Sequence, residues 1–412
     1  MNLICIVLMS LLAGLGLVLL YHEGLLRSMR AWIVAASLLL VSLGGRLVFF
    51  DYETLDYINF LSRWAAYFRD YGGFLALRRQ TGNYNIPYLY FLALFSYIPV
   101  KDLYLIKYLS VLFDVLLAWS CVRLAGHFTK SAPRLLGCFF AVLLLPTVFL
   151  NGAVWGQCDS LYVMPLVLGI ELALSGKPKS AMILAALAFG MKLQAVFVLP
   201  IFAVIWMRGG KYKLWHFLLF PLSYVILVLP AVLLGRPFLE TLTLYASQTG
   251  SIGSGLNYNS PSVFAIFWNV SNENVAAGVA IGAAFLFLLN MLGVAWVNRR
   301  HLTDRAVLGM ALMLAIGIPF LLPHMHERYF YAADILSLVM AFAFPAFIPA
   351  ALLVQIASLL GYYAYLTMRY LVIGNHLFLM YHGSAALIIA FALALICFLQ
   401  GVAVETPRRK KA

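Results

Sequence analysis

His324, His326, Glu327 and Arg328 follow directly on an apolar run, 306–322, that is about long enough to cross a bilayer at roughly 1.5 Å per residue. Ionisable groups at a membrane boundary are costly unless they are solvated or engaged. Asp51, Glu53 and Asp56 follow another apolar run, Asp159 opens a third, and Lys192 and Gln194 interrupt two short ones. A carboxylate can take a proton from a hydroxyl nucleophile. Cations stabilise charge on a leaving phosphate, and arginine does so with a fixed fork of donors. At a membrane face this combination suits a lipid-linked phosphosugar.

The elements that must position these groups are membrane helices. The chain is 64% hydrophobic with 10% charged residues, and its mean hydropathy is +0.95. Soluble domains carry about 25% charged residues. Apolar runs near 20 residues long call for helices; a barrel needs strands of about 10 residues with alternating polarity. The net charge of +13 does not point to nucleic acid, because the basic residues fall in short loops between apolar runs. The cysteines show no CxxC spacing, so they read as packing residues, and Cys158 beside Asp159 is not taken as a nucleophile. The first run lacks a basic leader and a small-residue cleavage site, so it is expected to be retained.

Basic clusters at Arg27/Arg30, Arg123/Lys130/Arg134, Lys177/Lys179, Arg208/Lys211/Lys213, Arg299/Arg300/Arg305 and Arg408–Lys411 belong in the cytoplasm by the positive-inside rule. The spans that satisfy this are 2–21, 31–50, 103–125, 134–152, 159–175, 180–191, 193–207, 215–235, 274–297, 305–323, 329–345, 347–367 and 377–400. The expected fold is therefore an all-α polytopic bundle of about 11–13 transmembrane helices, with the N-terminus outside. One integral membrane domain is expected over 1–412. Arg63, Arg69, Arg78, Arg79, Lys101 and Lys107 run against the rule, since they fall in or beside the outer segment 51–102.

The pair 180–191 and 193–207 is expected to be a broken or re-entrant helix pair with Lys192 at its apex, because irregular backbone at membrane depth survives only where it lines a polar cavity. Residues 58–77 pattern as an amphipathic surface helix, and 87–99 is too short to span and is placed in the outer interface. The segment 236–273, with Gly250, Gly253 and Gly255, is expected to be a second outer loop. Several residues keep two readings. Asp159 is a helix cap or a ligand-contacting acid, and Lys192 is a phosphate contact or a snorkelling side chain. Asp114 and Asp334 are buried partners of polar groups or part of a cavity.

Leu55-Asp56-Tyr57 with Phe60 and Trp64, then Gly72-Gly73 and Asn83-Tyr84-Asn85-Ile86-Pro87-Tyr88, resembles the first outer loop of GT-C glycosyltransferases, in particular the bacterial relatives of GPI-anchor mannosyltransferases. Trp155-Gly156-Gln157-Cys158-Asp159-Ser160 and Met191-Lys192-Leu193-Gln194 are similar to further motifs of that family. Pro323-His324-Met325-His326-Glu327-Arg328 resembles a segment shared with dolichol-pathway glucosyltransferases. The resemblance runs over about 46–335, and the helix 2–21 is an addition to it. It implies a polyprenyl-phosphate-linked sugar as donor and inverting transfer of a hexose to an envelope glycan, a lipid-linked acceptor or a protein. The site would face the extracytoplasmic side of the cell membrane.

On this resemblance Asp56, and not Asp51, takes the place of the base. Lys192, Arg328 and one of His324 and His326 would hold the lipid phosphate. Gln194, Asp159, Asn259 and Glu327 would contact sugar or phosphate, and Asp51 and Glu53 would shape the loop or meet the acceptor. No cofactor is expected. A divalent metal at the two histidines is not favoured, because no third ligand is evident. The rival functions are a flippase or transporter of lipid-linked sugars, for which internal repeats are missing, and a polysaccharide polymerase or ligase.

Overall fold

A computed structural model of the chain describes residues 3–248 and 255–402. Among them, eight helices are long and apolar enough to cross a membrane: Leu3–His22, Met29–Leu47, Asp102–Ala125, Leu214–Leu233, Glu273–Val297, Asp304–Leu321, Pro345–Thr367 and Met380–Val402. The protein is thus an all-α, multi-pass membrane protein, and the described β-structure is two short strand pairs and one isolated bridge. The expected span 134–152 is not straight. It consists of Ala132–Leu144 and Pro146–Trp155, bent by 46° where Pro146 removes a backbone donor. The chain also breaks where Lys192 was expected to mark an apex. One helix ends at Met191, a 3-10 turn covers Leu193–Phe197, and a second helix runs Ile201–Arg208.

Contacts sort the chain into two compact units. The first comprises Met1–Gly169, Lys179–Ala195 and Trp215–Gly253. At its centre is Asp102–Ala125, whose apolar window is 78% buried. Arg46, at the end of Met29–Leu47, reaches Asp114 at 3.3 Å with both side chains fully buried. The same guanidinium donates to the Ser42 carbonyl at 3.0 Å and the Leu143 carbonyl at 2.8 Å. One buried charge pair therefore knits three helices, and two backbone carbonyls take further guanidinium donors. Asp114 is accordingly a buried structural partner, one of the two readings the sequence left open.

The region 58–77 departs from a single amphipathic helix. It is a π-turn Tyr57–Leu61, a helix Ser62–Asp70 and a 3-10 turn Gly73–Arg78. Gly72 and Gly73 separate the last two, with φ of 85° and 63°, which side-chain-bearing residues rarely adopt. The apolar run placed at the interface is a helix, Ile86–Phe95, and most of its residues are buried inside this unit. Asn85 caps it by accepting from the Ile86 N–H at 2.8 Å, and Pro87 sits in the first turn where its missing donor costs nothing.

Four of the six cations that ran against the positive-inside rule have internal partners. Arg69 pairs with Asp102, Lys101 with Glu53 at 2.7 Å, and Arg78 donates to the Leu234 carbonyl at 2.8 Å. Lys107 donates to the carbonyls of Phe49 and Tyr52, each at 2.6 Å. Cations held this way fix loops and are poor reporters of topology.

The second unit comprises Ile170–Pro178, Val196–Leu214 and Ser254–Ala412. Its core helix, Asp304–Leu321, packs backbone against backbone on Met380–Val402. A Cβ on Gly309 would stand 2.8 Å from the Phe398 nitrogen and 3.0 Å from the Ala394 oxygen. Small residues permit such close approach between membrane helices. Glu273–Val297 is only 11% buried over its apolar window, as suits a lipid-facing helix. Asp334 accepts from Gln355 at 2.8 Å across two helices of this unit, so it too is a buried partner.

Candidate active site

The expected site residues fall into two clusters, one in each unit. In the first unit everything turns on the segment 150–160. Residues Leu150–Trp155 form a π-turn, closed by Gly156 at φ 75°, and the Gln157 N–H returns to the Asn151 carbonyl at 2.9 Å. Asp56 immediately precedes the other π-turn, Tyr57–Leu61. Such turns are frequent at functional sites, because the extra residue re-aims side chains. Thr54 ties the two segments together by donating to the Trp155 carbonyl at 3.2 Å.

Asp56 is half-buried, and its Oδ2 accepts from Trp155 Nε1 at 2.9 Å and Gln157 Nε2 at 2.7 Å. Two neutral donors on one oxygen orient the carboxylate. Gln157 is itself oriented, since its Oε1 accepts from the Tyr84 hydroxyl at 3.0 Å. Next in sequence to Asp56, Tyr57 has its phenol pushed up to about 12, first by burial and then by the carboxylates of Asp102 and Glu53. It stays a donor at physiological pH and cannot act as the base.

Asp51 and Glu53 have different partners. Asp51 accepts from the Tyr104 hydroxyl, and Glu53 pairs with Lys101. Both are exposed and brace the loop against the start of Asp102–Ala125.

Deeper in the same unit, Lys192 pairs with Asp159, with side chains 5% and 1% exposed. Asp159 also accepts from Asn151 Nδ2 at 2.7 Å, and its neighbour Ser160 donates to Asp114. An isolated cation between apolar runs needs an anion, and here the protein supplies it. Asp159 is the first residue of the helix Asp159–Leu174, but its carboxylate serves Lys192 and Asn151. Gln194 lies in the 3-10 turn beyond Lys192, with a buried Oε1 that has no hydrogen-bond partner.

In the second unit, Met325–His326 pairs in parallel with Asn257–Tyr258, so His326 lies in an extended segment and His324 stands just before it. They do not act as a pair. His324 adopts φ 61° and its Nδ1 meets the Gly255 carbonyl at 2.8 Å. The His326 ring stacks on Tyr258 with centroids 4.6 Å apart and planes within 11°. Glu327 is buried, 3.7 Å from His326 Nδ1 and 3.3 Å from Arg328 Nη1. Asn259 bridges His326 through the backbone, and its Oδ1 accepts from the Tyr370 hydroxyl at 3.2 Å. The wall behind this cluster needs Gly361, where a Cβ would sit 2.9 Å from Glu327 Cβ. Of the glycine-rich stretch, Gly250 and Gly253 lie outside the described residues. Gly255 contributes the carbonyl that holds His324.

The sequence assigned no role to five residues that stand in these two clusters: Trp155, Gln157, Tyr84, Asn151 and Tyr258. Trp155 and Gln157 stood in a quoted motif, and alternate residues flanking a glycine were the available signal. No protein-family model matches the chain, and comparison with curated proteins finds no relative.

Proposed function

We propose that the protein is an inverting GT-C type glycosyltransferase that moves a hexose from a polyprenyl-phosphate donor to an acceptor at the outer face of the cell membrane. The observation that carries this reading is Asp56. It is a half-buried carboxylate aimed by Trp155 and Gln157, on the same short segment whose Asp159 engages the buried Lys192. A base must be oriented and reachable, and Asp56 is held by two donors while remaining only half-buried.

In the proposed reaction Asp56 takes the acceptor hydroxyl proton. The acceptor oxygen forms a bond to the anomeric carbon on the face opposite the phosphate. The bond between that carbon and the phosphate oxygen breaks, and polyprenyl phosphate leaves as an anion. Lys192, already partnered by Asp159, would share its remaining donors with the phosphate, and Gln194 would offer its amide to the sugar or phosphate. For Arg328, His324 and His326 the proposal is the same ligand chemistry, phosphate held by a guanidinium and an imidazole, with Glu327 fixing Arg328 and Asn259 fixing the strand. Asp51 and Glu53 shape the loop.

The reading predicts that cells lacking this protein lose one hexose from one envelope polymer, while the corresponding polyprenyl-phosphate hexose accumulates. Mass spectrometry of both fractions, with and without the protein, checks it. Unchanged polymers together with an unchanged lipid pool would refute it.

A further inference from the structure

From Asp56 a chain of contacts leads to a row of aromatic side chains. Phe60 lies four residues beyond Asp56 and Trp64 four beyond that, a spacing that keeps side chains on one side of a helical segment. The Phe60 and Trp64 rings are 6.1 Å apart, and Trp64 meets Tyr84 edge-on at 5.3 Å. Tyr84 donates to Gln157, and Gln157 donates to Asp56. The indole is held from behind by Gly82, at φ 68°, where a Cβ would come within 2.2 Å of the ring. Yet the row is not core. Phe60 is 48% exposed, and Trp64 and Tyr84 are half-buried.

An aromatic patch of this kind can anchor a protein at the headgroup level of a bilayer. Two observations favour a different occupant. The row is wired through Tyr84 and Gln157 to a carboxylate, which an anchor does not require. The exposed polar residues Arg63 and Asn83 also stand next to Trp64 and Tyr84 in sequence. Apolar faces interleaved with hydrogen-bonding groups match a pyranose, whose C–H face meets the negative face of an aromatic ring while its hydroxyls meet the polar groups.

We propose that Phe60, Trp64 and Tyr84 form a saccharide platform that seats a pyranose ring of the acceptor beside Asp56. The inference rests on the reading of Asp56 as base: the base must reach the acceptor hydroxyl, so a platform joined to it lies on the acceptor's side of the reaction. It narrows the acceptor to a glycan.

Saturation-transfer NMR on the purified protein in nanodiscs, with methyl mannoside and methyl glucoside as probes, tests the platform without needing turnover. The ring C–H protons of one probe or both should be saturated. Phe60→Ala and Trp64→Leu should each reduce that signal by about fivefold or more, and Trp64→Phe should keep it. Phe60 is exposed enough for its replacement to leave the fold intact. Absence of saccharide signal in the wild type, or equal signal in both variants, would overturn the platform. Saccharide saturation in a wild type that transfers no sugar would uphold the platform and remove the glycosyltransferase reading. Transfer with unchanged saturation in the variants would do the reverse.

Discussion

Asp56→Asn is expected to lower sugar transfer by about 10²–10⁴-fold, the usual loss when a general base is removed. The amide keeps an oxygen that can accept from Trp155 and Gln157, so the loop should keep its shape and donor binding should be nearly unchanged. Asp51→Asn and Glu53→Gln should be much milder, because these side chains serve Tyr104 and Lys101. A single-turnover assay with labelled donor separates the cases. Near-normal transfer by Asp56→Asn alongside its loss in Asp51→Asn would move the base to the other acid.

The second large effect is expected at the buried pair. Lys192→Met leaves the Asp159 carboxylate without its cation in a site that is 1% exposed, and breaking such a pair costs about 3–5 kcal/mol. Lys192→Met combined with Asp159→Asn removes both charges and should recover most of that stability in a thermal unfolding series. If Lys192 also holds the donor phosphate, the recovered double variant should still bind polyprenyl-phosphate sugar more than about tenfold more weakly, the size of one lost charge-assisted hydrogen bond. Full donor affinity in the stable double variant would leave Lys192 a structural role only.

What could be read from the sequence follows from what is local. Apolar run length located the eight long helices but also marked 329–345, a shorter helix Tyr331–Ala343, as a span, and the charge between two short runs located the break at Lys192. The bend at Pro146 and the break at Gly72–Gly73 also had local signals, a proline and paired glycines, that a count of apolar residues smoothed over. The pairing of charges was not legible. Arg46 finds Asp114, and Lys192 finds Asp159, only because separate helices bring them together. The same holds for Asp56. Its position at the end of an apolar run was visible, but its two donors come from a turn that folds back through Gly156. Which way each of the two nearby histidines faces was also not legible, for a backbone reason: His324 takes a left-handed conformation, while His326 lies in a strand pair and stacks on Tyr258.

On the proposed function, this protein breaks the bond between a hexose and a polyprenyl phosphate. The direct measurement is to reconstitute the purified protein in vesicles with a donor labelled in its sugar, add an envelope glycan fraction, and follow the label. The account predicts that label leaves the lipid for the glycan, with inverted anomeric configuration and release of polyprenyl phosphate. Label that stays lipid-linked and only changes leaflet would contradict it and identify a flippase.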